Sequence, residues 1–135
     1  ISNINIPKLV ANELNIDLEL FKNGEIATLF KLNCEWLNKL IKVKDIKSLE
    51  DVISIIPNSI KIELEKLLQK AKEVDYSNII IAPLYYGSLR YYDGIYYRVI
   101  NDNLTICKGG MYSSEGMNSL GFALYTDNLL KILED

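Results

Sequence analysis

The sequence predicts an α+β fold in which helices pack to one side of an antiparallel sheet. Up to Asp75 the apolar residues recur at three- and four-residue steps, a spacing that is typical of amphipathic helices. Beyond Asp75 the period changes to two, and β-branched and aromatic residues become frequent, as in strands. The connections between those strands are short, so neighbouring strands should pair antiparallel. We therefore expect a helical segment over residues 1–74 and a sheet with a terminal helix over residues 75–135, forming one compact unit.

The helical half begins with a short strand and a helix. Residues 1–6 fit the strand, and Pro7 suits the first turn of the helix, where its missing N–H is not needed. Asn23-Gly24 then marks a turn. From Glu25 the spacing predicts one amphipathic helix of about four turns, and Cys34 falls within it. Its apolar stripe comprises Ile26, Leu29, Phe30, Trp36, Leu37, Leu40 and Ile41.

Two further helices complete this half. Ser48 is the expected N-cap of the first, with Asp51 three residues later in a capping-box-like arrangement. Ile56-Pro57 should end it, because the residue before a proline avoids helical dihedral angles. Asn58 or Ser59 is expected to cap the second helix. Its core-facing residues are Ile60, Leu64, Leu67, Leu68 and Ala71.

The second half is predicted to contain four strands and a closing helix. Pro83 suggests that the first strand carries a bulge or lies at a sheet edge. A turn is expected at residues 101–103, between the second and third strands. The strands are expected at residues 78–85, 95–100, 104–108 and 120–125, and the helix at residues 127–133.

Composition limits the classes of function. The net charge of −3 argues against a nucleic-acid surface, which needs clustered basic residues, and 49% hydrophobic residues suffice for a core. The absence of histidine excludes imidazole catalysis and His-ligated metal sites, and no cofactor is indicated. Cys34 and Cys107 are far apart and fit small buried groups in a reducing cytoplasm. No apolar run is long enough to predict a membrane span.

Two features of the strand-rich half could carry binding chemistry. Six tyrosines lie within thirteen residues, and each buried hydroxyl needs a partner. They fit aromatic cross-strand pairs, with Asp93-Gly94 as a hairpin turn, or a loop that presents hydroxyls to a small polar ligand, and spacing does not decide between these. Gly109-Gly110 is expected at a strand end, where it forms an ordinary loop or lets the backbone approach a ligand. The tyrosines are Tyr85, Tyr86, Tyr91, Tyr92, Tyr96 and Tyr97.

Three segments in order resemble the substrate-pocket walls of histidyl-tRNA synthetase and its non-catalytic relatives. They are Leu89-Arg90-Tyr91-Tyr92-Asp93-Gly94, Gly109-Gly110-Met111-Tyr112 and Gly121-Phe122-Ala123-Leu124. The first is closer to the Tyr-Tyr-Thr-Gly of the regulatory subunit of ATP phosphoribosyltransferase than to the synthetase pattern. The resemblance implies a class II aminoacyl-tRNA synthetase-like antiparallel sheet preceded by a helical segment. It also implies that the chain is the C-terminal portion of a longer subunit.

The departures from the synthetase pattern remove its cationic groups. The glycine and arginine of the last motif are matched here by Tyr125 and Asn128, and another arginine by Gly87. The Arg-Tyr-Asp ending of the glycine motif appears as Met111-Tyr112-Ser113. Without these guanidinium groups, nothing in the three segments matches the fixed, bidentate donors that would orient a triphosphate for adenylate transfer. The resemblance therefore implies a protein that is not itself an enzyme.

The function implied by the resemblance is that of a non-catalytic regulatory subunit. Such a subunit acts with the short-form catalytic subunit of ATP phosphoribosyltransferase, as a homo-oligomer within a hetero-oligomer, in the histidine-inhibited first step of histidine biosynthesis. A histidine pocket is the matching hypothesis, without metal or catalytic residues, and it is formed by Arg90, Tyr91, Tyr92, Gly109, Gly110 and Tyr112. Two alternatives are an active histidyl-tRNA synthetase fragment and a synthetase-like binding module of another pathway.

Overall fold

A computed structural model describes residues 1–86, 93–114 and 117–134. The described residues form helices and one four-stranded antiparallel sheet, so the predicted α+β class is confirmed. The helices are α1 (Asn5–Leu14), α2 (Glu19–Lys22), α3 (Ile26–Phe30), α4 (Glu35–Ile41), α5 (Ile46–Ile53), α6 (Asn58–Glu73) and α7 (Thr126–Glu134). The strands are β1 (Ser2–Asn3), β2 (Ile95–Asn101), β3 (Leu104–Ser114) and β4 (Met117–Leu124).

The sheet has the order β1-β2-β3-β4, so β1 and β4 lie at its two edges. The predicted turn between β2 and β3 is confirmed. Asp102 and Asn103 both have positive φ, 45° and 69°, as a tight two-residue hairpin requires. The short N-terminal strand, the strand at residues 95–100 and the closing helix are also confirmed. The division at residue 74 stays a prediction, although β1 from the helical half pairs with β2.

The hydrophobic core lies among the helices. Helix α6 packs against α1 and α5 and buries one apolar face of Ile60, Leu64, Leu67 and Ala71, as the periodicity predicts. Asn3 connects this core to the sheet. Its fully buried side-chain amide donates to Glu63 Oε2 of α6 at 2.8 Å and accepts from the Asn5 N–H at 3.0 Å.

The long helix predicted from Glu25 is wrong, because the structure divides it into α3 and α4. Asn33 has a left-handed φ of 52°, a conformation that asparagine tolerates better than most residues. Cys34 is extended at the N-cap of α4, so it is not inside a helix. The break lets each short helix turn its own apolar side inward, and Leu29 and Leu37 are both buried.

Both predicted helix caps are also wrong. Asp45, not Ser48, caps α5: its Oδ1 accepts from the Ser48 N–H at 2.8 Å, and the Asp45 N–H donates to Ser48 Oγ at 3.1 Å. This reciprocal capping box moves the helix start three residues towards the N-terminus. For α6 the N-cap is Pro57, whose fixed φ suits a helix start, and Asn58 is already helical.

The predicted strand at residues 78–85 is absent from the described structure. That segment includes turns and makes isolated hydrogen bonds to different elements. The Ile81 N–H donates to Lys44 O at 2.9 Å, and the Ala82 N–H donates to Ile1 O at 3.0 Å. The N-terminal ammonium group in turn donates to Ile80 O at 2.9 Å. Pro83 has no N–H and cannot donate a hydrogen bond to a neighbouring strand. The segment therefore lies between the N-terminus and the helices, outside the sheet.

Candidate functional site

The strand register defines two faces of the sheet. Residues directly opposite one another on antiparallel strands point to the same side. Ser2, Tyr96, Gly110 and Gly121 form one continuous row across the four strands, and we call their side the front face. Tyr97, Gly109 and Phe122 form the neighbouring row on the opposite side, the back face.

The glycine pair lies inside β3, so its predicted position at a strand end is wrong. Neither glycine is among the described residues with positive φ, and conformational freedom is therefore not the reason for glycine here. Side-chain packing supplies a reason on the back face. A Cβ added to Gly109 would lie only 2.5 Å from the Tyr97 ring, because that ring lies directly across the glycine.

The front face has a comparable arrangement around Tyr112. A Cβ added to Gly121 would lie 2.9 Å from Tyr112 Cε1, so the tyrosine ring leans over the neighbouring strand. Gly110 lies two residues from Tyr112 on the same strand and opposite Gly121. The front face therefore has a floor without side chains at Gly110, with Tyr96 on one side and Tyr112 on the other.

The structure brings together only part of the predicted histidine pocket. Gly110 and Tyr112 share the front face, whereas the Cα of Gly109 faces the back. Arg90, Tyr91 and Tyr92 lie outside the described residues, as does Gly87. The described chain resumes at Asp93, whose N–H donates to Met111 O at 2.7 Å, next to Gly110 and Tyr112.

The described tyrosines of the cluster have different roles. Tyr96 is buried, and its hydroxyl donates to the Tyr85 carbonyl at 2.5 Å. Ser2 Oγ donates to the same carbonyl at 3.3 Å, and the rings of Tyr85 and Tyr96 lie 6.1 Å apart. These contacts fix Tyr85 against the front face. Tyr97 packs on the back face, so a single ligand loop does not account for all six tyrosines.

A groove of about 370 Å³ lies on the helical side. Lys22 Nζ stands 5.4 Å above the Tyr86 ring at its rim. The sequence gives no signal for this groove, because its walls come from segments far apart along the chain. It is lined by Phe21, Lys22, Asn23, Gly24, Ile26, Leu29, Leu40, Ile41, Val43, Ala82, Pro83, Leu84, Tyr85 and Tyr86.

At three positions the synthetase pattern has a glycine or an arginine, and this chain has Asn128, Tyr125 and Met111, which belong to the packing of the sheet and α7. Asn128 Nδ2 donates to Thr105 O at 2.8 Å and so ties α7 to β3. Tyr125 continues from β4 with its N–H donating to Ile106 O at 2.7 Å. Met111 lies opposite Leu120 on the back face, away from Gly110 and Tyr112. None of the three can supply a guanidinium group to a ligand on the front face.

The described residues contain no cluster of three or more histidine, cysteine, aspartate or glutamate side chains that could hold a metal ion. Cys34 and Cys107 are both free thiols. No helix within the described part of the chain is both long and apolar enough to cross a membrane.

Comparison with known proteins identifies similar chains. No protein-family model matches the sequence. The chain is 37% identical over 131 residues to the ATP phosphoribosyltransferase regulatory subunit of Wolinella succinogenes, covering 97% of this chain and 46% of that protein. It is 34% identical over 133 residues to the protein of the same name from Helicobacter hepaticus, covering 98% of this chain and 47% of that protein. The predicted resemblance to the regulatory subunit of ATP phosphoribosyltransferase is confirmed, and the chain spans about half the length of these curated relatives.

Proposed function

We propose that this chain is part of a regulatory subunit of ATP phosphoribosyltransferase and that it performs no catalytic step itself. The observation that carries this proposal is the 34–37% identity to two proteins of that name over nearly every residue of the chain. Because the chain spans about half of each relative, we assign the function to the complete subunit that contains it. We further propose that this segment is its C-terminal portion, with a class II synthetase-like sheet.

The front face supports a non-catalytic role. Adenylate-forming chemistry on a synthetase-like sheet needs fixed cationic donors to orient a triphosphate. The side-chain amide of Asn128 instead donates to a backbone carbonyl of β3, and the Met111 side chain lies on the opposite face. Gly110 and Tyr112 are suited to enclosing a small molecule but not to activating one. The two cations of this face, Arg98 and Lys108, lie outside the three motifs, two residues along the strands from the row of Gly110.

The partner in this proposal is the short-form catalytic subunit of ATP phosphoribosyltransferase. The complex, a hetero-oligomer containing several regulatory chains in the cytoplasm, would condense ATP with phosphoribosyl pyrophosphate. Affinity purification of the tagged full-length subunit tests this. Retention of the short catalytic chain at a constant ratio is the expected result. A subunit that never retains it in any salt condition would instead be a synthetase-like module of another pathway.

The effector in this proposal is histidine, held at the front face. Gly110 forms the floor and Tyr112 one wall, while Arg90, Tyr91 and Tyr92 remain predicted contributors. Gly109 would contribute only through its backbone, because its Cα faces the other side. The pocket hypothesis thus makes the Tyr112 hydroxyl a specific contact that can be removed without removing the ring.

Calorimetric titration of histidine into the full-length subunit tests the pocket. Tyr112→Phe keeps the ring over Gly121 but removes the hydroxyl, and we expect about tenfold weaker binding, as for loss of one polar contact. Tyr92→Ala should also weaken binding. Tyr76→Phe is the matched control, because Tyr76 is 64% exposed and far along the chain from the sheet. Unchanged heat in both Tyr112→Phe and Tyr92→Ala would remove histidine from this face.

A further inference from the structure

Two cations lie side by side on the front face. Arg98 of β2 and Lys108 of β3 are directly opposite one another in the strand register, two residues along from the row that contains Tyr96 and Gly110. Opposed residues in an antiparallel pair have Cβ atoms about 5 Å apart, and like charges at that distance destabilise the sheet. Such a pair costs stability unless something neutralises it.

The described protein supplies no neutralising carboxylate. The ion pairs among the described residues all lie in the helical half, and none includes Arg98 or Lys108. On the far side of Lys108 the opposing residue of β4 is Ala123, which is exposed and fills little space. Arg98 is exposed and Lys108 is half-buried, so a ligand from solvent can reach the pair.

Tyrosine rings border the pair on both sides. The Arg98 guanidinium carbon is 5.4 Å from the centre of the Tyr85 ring, and Lys108 Nζ is 5.8 Å from the centre of the Tyr125 ring. These cation–π contacts hold the two long side chains in place and reduce the entropy lost when a ligand binds. Tyr85 is itself held by Tyr96 and Ser2 through its carbonyl.

We propose that Arg98 and Lys108, bordered by Tyr85 and Tyr125, form a binding site for a phosphate-bearing small molecule. Arginine presents a planar fork of N–H donors that matches two phosphate oxygens, and lysine adds a compact positive charge. A phosphate dianion or a pyrophosphate carries enough charge to neutralise both side chains, which a single carboxylate does not. The site lies beside the proposed histidine pocket on the same face, but it does not depend on the proposed function.

Calorimetric titration of sodium pyrophosphate into the full-length protein at constant ionic strength tests the site. Saturable binding with one pyrophosphate per chain is expected. Arg98→Gln and Lys108→Gln should each weaken it at least about tenfold, because each removes a charge-assisted hydrogen bond. Arg98→Lys keeps the charge but loses the fork, and its affinity should fall between those of the wild type and Arg98→Gln. Lys31→Gln is the matched control, since Lys31 is an exposed lysine of the helical half.

Thermal unfolding of the same variants gives a second measurement. Pyrophosphate should raise the midpoint of the wild type and of Lys31→Gln but not that of Lys108→Gln, because only a ligand-binding folded state is stabilised by mass action. Without ligand, Lys108→Gln should unfold at or above the wild-type temperature, because the repulsion is relieved. Two results together would overturn the site: equal pyrophosphate affinity in all variants, and a pyrophosphate-induced rise of the unfolding midpoint in Lys108→Gln that equals the rise in the wild type. Tighter binding of an acidic peptide than of pyrophosphate would overturn it in favour of a protein partner.

Discussion

Asn3 is the residue whose replacement should most weaken the connection between the sheet and the helices. Its side chain is fully buried between β1 and α6. The amide nitrogen donates to Glu63 Oε2 at 2.8 Å, and the amide oxygen accepts from the Asn5 N–H at 3.0 Å, at the start of α1. Asn3→Ala removes both contacts and leaves a small void.

The structure sets the expected magnitude of this change. A hydrogen bond to a charged group contributes about 1.5–3 kcal/mol, and a bond that satisfies an N–H near a helix start contributes about 1 kcal/mol. We therefore expect Asn3→Ala to lower the free energy of unfolding by about 2–4 kcal/mol. Asn12→Ala, an exposed asparagine of α1, should change it by less than about 0.5 kcal/mol.

Urea unfolding monitored by circular dichroism measures both variants at neutral pH. The double variant Asn3→Ala with Glu63→Gln should lose less than the sum of the two single changes, because the partners are in contact. Additive losses, or an Asn3→Ala loss no larger than that of Asn12→Ala, would refute the reasoning that this amide connects the two halves.

The same contact predicts a pH dependence. Burial tends to raise the pKa of Glu63, but hydrogen bonds from Asn3 and Lys66 outweigh it and hold the pKa below the ordinary value of 4.5. A carboxyl group with a lowered folded-state pKa stabilises the fold above its unfolded value, and this contribution is lost as the pH falls through the lowered pKa. The stability difference between wild type and Asn3→Ala should therefore shrink below about pH 4.5.

Two further predictions concern the sheet. Gly109→Ala should destabilise the protein by about 1–3 kcal/mol, because its Cβ displaces the Tyr97 ring. In a Tyr97→Ala background the same change should cost little, and equal costs in urea unfolding of the two backgrounds would count against ring packing. The isolated 135-residue chain should self-associate, because Leu120 and Phe122 are 79% and 74% exposed on the back face. Phe122→Ser should shift it towards monomer in size-exclusion chromatography, and a monomeric wild type at high concentration would refute this.

Apolar spacing and turn residues predict the elements that depend mainly on interactions between residues close in sequence. Helix α6 follows from its apolar spacing, and the β2–β3 hairpin follows from the turn at Asp102 and Asn103. The break at Asn33 escapes prediction, because the apolar spacing continues across it and only packing against the core decides where the chain turns. The segment at residues 78–85 has strand-like residues, but its N–H groups are taken by the N-terminus and by Lys44.

The candidate site shows the same limit. Gly110 and Tyr112 of the glycine motif share a face, because alternate residues of a strand point to the same side. Their role in a pocket stays a prediction. The reason for glycine at position 109 depends on Tyr97 from the neighbouring strand, and no local spacing indicates that contact. The juxtaposition of Arg98 and Lys108 depends likewise on the strand register, which includes an irregularity between Val99 and Ile100.

Reconstitution of the enzyme complex tests the central proposal most directly. The full-length protein containing this chain and the short-form catalytic subunit are purified separately, and the condensation of ATP with phosphoribosyl pyrophosphate is assayed for each alone and for the mixture. We expect turnover in the mixture, suppression of that turnover by histidine, and no turnover by this protein alone. A catalytic subunit that is equally active without this protein, or histidine-dependent ATP–pyrophosphate exchange by this protein alone, would contradict it.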